Sequence, residues 1–346
     1  MVERRIKRKD YLLDDNGYLL DHGYSKTMLT EYNKDNIKKK GRIKEWDYYY
    51  VGDNRYGLCL TISNLSYVAV ISASVIDFAN KEHYDKTSML FFPKNKDFMP
   101  TTSKDGVSEL KTKDAYFKFE VKKGKRILSG YYENFYDNLV NNKLSFEIEI
   151  LNEPKESMVK VTPFKNKNHF YYNQKINCMA AQGFFTFQGR RYYYDKQSAM
   201  ATLDWGRGVL PYNSLWYWAS MQGTLDNGDK IGFNFGKALG DNTQATENMI
   251  FYNGKAHKVS TTAINIQRDG RERNYMGTWT FYSDDGKVEL TFEPIVDRYV
   301  PFNVVFIKFI PHQVFGKYSG TLTLDDGTKI QIKNMLGFAE RVVNRW

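Results

Sequence analysis

The stretch LDWGRGVLPYNSLWYWA, residues 203–219, sets Asp204 beside Trp205 and close in sequence to Trp216 and Trp218. An aspartate buried among aromatic rings has its charged form disfavoured, and its pKa can rise by up to about 3–5 units. Such a group is a proton donor at neutral pH. A carbocation or polarised alkene held against a well-placed, desolvated tryptophan gains on the order of 2 kcal/mol, and about 1.4 kcal/mol is tenfold in rate. Arg207 supplies the alternative, a strand-corner ion pair with Asp204 that leaves the tryptophans as core plugs.

Three further groups extend the set. Glu247, with Asn248 in ATEN, is either a pocket acid or base or a partner for backbone donors at a barrel corner. His312, next to Gln313, is either a proton shuttle or a structural hydrogen-bonder. Glu340 in GFAERV either meets Arg341 or Arg345 at the surface or enters a pocket. The candidate catalytic residues are therefore Asp204, Glu247 and His312. The candidate substrate contacts are Trp205, Arg207, Tyr212, Trp216, Trp218, Asn234, Asn248, Gln313 and Glu340. No paired carboxylates mark a glycosidase, and no GxSxG, Cys-His pattern or phosphate loop is present. Cys59 and Cys178 stand apart from each other and from any His cluster, which argues for two buried thiols rather than a disulfide, zinc or iron–sulfur site. No metal and no cofactor is expected.

The elements that must position these residues read as strands. Aromatic content is 16%, with 26 Tyr and 23 Phe among 346 residues, a composition that favours pleated surfaces. Leu144, Phe146, Ile148 and Ile150 alternate with polar residues as a half-buried strand should. Asn227-Gly228, Asn253-Gly254, Asp269-Gly270, Asp285-Gly286 and Asp326-Gly327 supply the positive φ angles of tight hairpins. A parallel α/β sheet is excluded by the missing crossover helices. So many antiparallel strands close into barrels or pack as sandwiches, and an eight-to-ten-stranded barrel has room for one small ligand. The length favours two domains, divided at the polar segment 163–177: a basic leader over 1–44, one barrel over 45–170 and a second over 176–346.

LDWGRG at 203–208, WYWA at 216–219, ATEN at 245–248, HQVFGKYSGTL at 312–322 and GFAE at 337–340 together resemble the family called domain of unknown function 2804. The resemblance covers most of the chain and is strongest from about residue 176. That family is distantly similar to the carotenoid 1,2-hydratases and their relatives, which include fungal decalin-forming cyclases and a lipid-handling stress-survival protein. The similarity implies an all-β fold of two tandem lipocalin-like antiparallel barrels, with an apolar pocket associated with their junction. In the hydratases the matching segment has leucine, aspartate and histidine before a Trp-Gly pair. Here Asp204 is kept and Trp205 stands where the histidine would be, so that acid–base partner is missing.

The net charge of +10 is partly local: residues 1–44 carry 12 Lys and Arg against 7 Asp and Glu. This basic leader makes peripheral contact with an anionic membrane surface an expectation. No RNP, helix-turn-helix or zinc-finger pattern supports a specific nucleic acid. MVERRIKRKD is followed by no apolar segment, and no run of eighteen apolar residues exists, so a cytoplasmic location is expected. Three functional classes remain open. One is an enzyme that hydrates, isomerises or cyclises an isoprenoid or lipid-like substrate by proton transfer. The others are a non-catalytic carrier of such a molecule and a glycan-binding or glycan-processing protein using its aromatic platforms.

Overall fold

Period-two alternation gives each strand two unlike faces, and in the computed structural model these faces define two antiparallel sheets. The structure describes residues 3–94, 97–136, 142–304 and 307–345. The first sheet runs in the order Glu82–Phe91, Val68–Asp77, Tyr56–Asn64, Ile43–Gly52, Met200–Val209, Phe170–Phe187, Leu144–Leu151, Lys125–Tyr132, Ala115–Lys122 and Gly106–Lys111. The second runs Lys255–Lys258, Met249–Tyr252, Lys230–Lys237, Asn213–Thr224, Lys329–Arg345, Ile307–Thr323, Val288–Tyr299, Trp279–Ser283 and Thr262–Ile266. Both sheets curl as half-barrels, so the fold is all-β with two tandem lipocalin-like units. The described residues contain no α-helix, only the 3-10 turns Lys34–Asn36 and Lys40–Arg42. No described helix is long and apolar enough to cross a membrane. The hairpin at Asn253-Gly254 has φ of 46° and 79°, as a type I′ turn requires.

Packed clusters follow from the alternation. Tyr49, Leu60, Ile71, Phe117, Phe146 and Leu203 fill the first barrel, and Phe233, Phe281, Phe292, Val314, Tyr318 and Ala339 fill the second. Between the sheets, Tyr50, Cys59, Ile76 and Phe78 of the first meet Trp218, Val296, Phe315 and Phe338 of the second.

The sheets change over at Leu210–Tyr212, not at 163–177. Strands Phe170–Phe187 and Met200–Val209 belong to the first sheet, although the sequence assigns residues 176–209 to the second barrel. Within 163–177, residues 164–169 are the turn between strands Met158–Pro163 and Phe170–Phe187, and residues 170–177 lack a clear period because both faces of their strand are covered, one by the barrel core and one by the other sheet. The true break holds Pro211, which has no N–H to give a ladder.

The N-terminal segment is not a solvated leader. Ile6, Leu12, Leu13, Tyr32 and Ile37 are buried in the first barrel's core. Glu3 reaches the second sheet, pairing with Lys258 Nζ at 2.8 Å and accepting from the Thr246 hydroxyl at 2.8 Å. The Arg4 N–H donates to the Gln244 carbonyl at 2.7 Å. A count of local charge misses this because Ile6 is one inward residue among exposed Arg4, Arg5, Lys7, Arg8 and Lys9. Deleting residues 1–9 removes a buried isoleucine and one half of a largely buried ion pair, together worth about 3 kcal/mol. Thermal denaturation should show the midpoint falling by roughly 5 °C; an unchanged midpoint would mean that this strap stabilises nothing.

Candidate functional site

The linker at Pro211 folds the aromatic stretch back on itself, so that the strand carrying Asp204 ends the first sheet's contribution at Val209 and the strand carrying Trp216 and Trp218 begins the second's. On strand Met200–Val209, Leu203, Trp205 and Arg207 point into the first barrel, while Thr202 and Asp204 face the other sheet. Register places Lys175, Asp204 and Tyr48 side by side on neighbouring strands. Across the second sheet the row reads Gly236, Trp218, Glu340, Gln313 and Arg298. These two rows meet at the junction.

Their contacts form one buried polar seam. Lys175 Nζ lies 2.7 Å from Asp204 Oδ2 and 3.9 Å from the centroid of the Trp218 ring. Trp216 Nε1 donates to Glu340 Oε1 at 2.8 Å, and Gln313 Nε2 to Glu340 Oε2 at 3.2 Å. Gln313 Nε2 also reaches Tyr48 Oη at 3.3 Å, and Arg298 Nη1 donates to Gln313 Oε1 at 3.0 Å. Arg298 Nε then crosses to Asp85 Oδ1 of the first sheet at 2.6 Å. Trp218 Nε1 donates to Asn234 Oδ1 at 2.6 Å. Gly206 is required here, because a Cβ would overlap the Trp46 indole, which stacks on Tyr171 at 5.4 Å.

Electrostatics separates the carboxyls. Burial pushes the Glu340 pKa up to about 7, with the nearby Asp204 charge adding to the rise and Trp216, Lys175 and Arg298 opposing it. Burial also raises Asp204, but the Lys175 ammonium opposes it directly. Asp85 is buried as well, yet Arg298, His83 and Ser74 together hold it down at about 2. Glu340 is therefore a seam carboxyl suited to carry a proton near neutrality, and Asp204, also raised by burial, is paired with Lys175.

A cleft of about 350 Å³ opens at one end of the junction: Tyr50, Met221, Met335 and Phe338 give it an apolar wall, and Thr202 and Ser220 with Asp53, Gln197, Gln222, Asp226 and Lys333 a polar one. Thr202, Ser220 and Phe338 each stand two residues, about 7 Å along a strand, from Asp204, Trp218 and Glu340. The Phe338 ring, edge-on to Trp218 at 4.8 Å, closes the cleft toward the acid.

Of the residues selected from the sequence, Asp204, Trp216, Trp218, Asn234, Gln313 and Glu340 meet in the seam. Glu247 lies at its margin, accepting from Asn173 Nδ2 at 3.2 Å and packing over Gly236. Others are elsewhere. Arg207 does not pair with Asp204: three residues apart on a strand, they point to opposite faces. Arg207 is fully buried in the first barrel, bonded to Asp47 at 3.0 Å and to the carbonyls of Trp46 and Pro100. Trp205 is beside it against Tyr172 and Tyr32. His312 bonds Asp297 at 2.7 Å and stacks between Tyr275 and Tyr299. Asn248 bonds the Gly236 N–H and the Ser260 carbonyl, which is a structural role. Tyr212 is 41% exposed. Lys175, Tyr48, Arg298 and Asp85 were not selected. They carry no motif, and only strand register brings them to the seam.

The family model described as Domain of unknown function (DUF2804) matches residues 3–346. No curated protein shows significant similarity to the chain. Solved structures share the fold. A crystal structure of an AttH candidate from Nitrosomonas europaea is 12% identical with a TM-score of 0.52, the match covering 90% of this chain and 96% of that one. Kievitone hydratase from Nectria haematococca is 10% identical with a TM-score of 0.51, the match covering 88% of each chain.

Proposed function

We propose that the chain, which belongs to the domain of unknown function 2804 family, binds a small, largely apolar molecule in the junction cleft and protonates it from Glu340. The observation that carries this reading is Glu340 itself: a buried carboxyl with a pKa near 7, one two-residue step beyond a cleft, bonded by the Trp216 indole N–H. A general acid works best when its pKa is close to the operating pH. In a hydration, the alkene π pair takes the Glu340 proton. Water adds to the resulting cation, and the proton that water loses returns to the Glu340 carboxylate. Isomerisation or cyclisation follows when a neighbouring C–H or a second alkene, rather than water, meets the cation. That a neighbour of the same fold is a hydratase agrees with this by fold-level analogy alone. In this reading Glu340 is the donor, and Asp204, also raised by burial, sits beside it paired with Lys175.

Carriage without chemistry is the second reading, favoured by the Phe338 ring between cleft and acid and by the hydrogen bonds already made to both Glu340 oxygens. Native mass spectrometry of freshly purified protein, compared with Met335→Trp to fill the cleft, tests the binding step. The wild type should carry an apolar molecule that the variant lacks. Ligand-free wild type, or equal loading of both proteins, contradicts the site. Incubating the identified molecule with wild type and Glu340→Gln then separates the readings. Turnover by the wild type that falls by about 10²–10⁴-fold in the variant, with binding kept, supports the enzyme. Bound but unchanged molecule supports the carrier.

A further inference from the structure

The first sheet ends at strand Glu82–Phe91, which among the described residues pairs only with Val68–Asp77. Its tip turns bulky apolar groups to solvent: Leu90 is 38% exposed, Phe91 61% and Phe92 79%. Phe92 has φ 51°, a left-handed backbone that is strained for a large side chain, fixed by its N–H donating to the Tyr67 carbonyl at 2.9 Å. Two phenylalanines are thus held outward by the fold rather than left there by a loose loop.

The turn that holds Phe92 rests on a basic segment. Ser66 Oγ donates to the carbonyls of Lys40 and Ile43 at 3.0 and 2.8 Å, and Lys44 Nζ donates to the Leu65 carbonyl and lies 4.4 Å over the Tyr67 ring. Lys38, Lys39 and Lys40 are exposed in that segment, and Lys94 is exposed two residues after Phe92. Asp35 lies 3.8 Å from Lys40, and Asp97 and the buried Glu45 each lie 3.1 Å from Lys34, so Lys38, Lys39 and Lys94 add positive charge beyond these pairs. We infer that this tip docks on an anionic lipid surface, with Phe91 and Phe92 entering the headgroup boundary and Lys38, Lys39 and Lys40 meeting the charged headgroups.

The combination decides the occupant. Exposed aromatics flanked by lysines match an interface that is apolar below and negative above. A second copy of the chain would place the same patch against itself in a two-fold contact, lysines facing lysines. The inference stands without the junction chemistry; where both hold, the bilayer is where the apolar ligand is collected.

Sedimentation of the full chain with vesicles of phosphatidylcholine alone, or of phosphatidylcholine mixed with phosphatidylserine, tests it. The wild type should bind the anionic vesicles at least tenfold better, and binding should fall as the Debye length shrinks from about 10 Å at 0.1 M salt to about 3 Å at 1 M. Phe91→Ser/Phe92→Ser should weaken binding at least tenfold with an unchanged melting temperature, and removing Lys38, Lys39 and Lys40 roughly fivefold per charge. Wild type that stays in solution with anionic vesicles, or a double-Phe variant that binds like wild type, overturns the inference. Loss on charge reversal of Lys7, Arg8 and Lys9 with the double-Phe variant unaffected moves the contact to the N-terminal strap and also overturns it. A solution mass that halves in the double-Phe variant, without vesicle binding, assigns the patch to a second copy instead.

Discussion

Replacing Lys175 by methionine should destabilise the protein by about 3–5 kcal/mol. Lys175 is 4% exposed and its ammonium is 2.7 Å from Asp204 Oδ2, so the substitution leaves a carboxylate in the junction without its counter-charge. Burial already raises Asp204, and without Lys175 the group should take up a proton. The loss is therefore largest at high pH and shrinks as acid neutralises the aspartate. Lys175→Met/Asp204→Leu, which replaces the pair by apolar groups of similar volume, should recover most of the stability, as buried pairs exchanged for hydrophobic residues often do. Urea denaturation of the two variants checks both statements. A single variant within 1 kcal/mol of wild type would mean that the pair does not hold the seam.

Glu340→Gln should change the pH dependence of stability, with a sign opposite to that of an ordinary salt-bridged carboxylate. The folded-state pKa of Glu340 is raised from the ordinary 4.5 to about 7. Between those values the native state holds a proton that the unfolded chain has released, so this group's contribution falls as pH rises. The full penalty, about 3 kcal/mol from the displacement, is present above pH 7 and absent below pH 4.5. Glutamine keeps the acceptor for Trp216 and cannot ionise. The variant should thus match wild type near pH 5 and exceed it by up to about 3 kcal/mol at pH 8. Asp85, held down at about 2, acts in the opposite sense in both proteins and cancels in the comparison. Parallel stability curves for the two proteins would place the Glu340 carboxyl in an ordinary environment.

Much of the fold was legible because hairpin chemistry is local. Asx-Gly pairs and alternating strands are read within ten residues: Gly228, Gly254, Gly270, Gly286 and Gly327 all have positive φ, though only at Asn253-Gly254 do both residues of the pair. The opposite faces of Thr202/Asp204 and Leu203/Trp205 were legible for the same reason. What period two cannot tell is which sheet lies over which face. Trp205 and Trp218 look alike in sequence, yet one plugs a barrel and the other roofs an ion pair. Arg207 is near Asp204 in sequence and belongs to the other side of the strand, while Lys175, 29 positions earlier in the numbering, is its neighbour by register. The polar stretch 163–177 misled for a related reason. Tyr171, Asn173 and Lys175 are polar or amphipathic because they face a second sheet, and such a strand cannot be told from a linker by hydropathy. His312 has the chemistry of a proton shuttle, but its neighbours Asp297, Tyr275 and Tyr299 converge on it only after the second sheet has formed.

The central claim is that the junction raises a carboxyl to titrate near neutral pH beside a ligand cleft. Carbon-13 NMR of protein labelled at the glutamate side-chain carboxyl, with the Glu340 resonance assigned by its loss in Glu340→Gln, measures that directly as pH is varied. The account predicts a titration midpoint close to 7, moving when an apolar ligand occupies the cleft. A midpoint in the ordinary glutamate range near 4.3 would contradict it, and Glu340 would then be an ionised anchor for Trp216 rather than an acid.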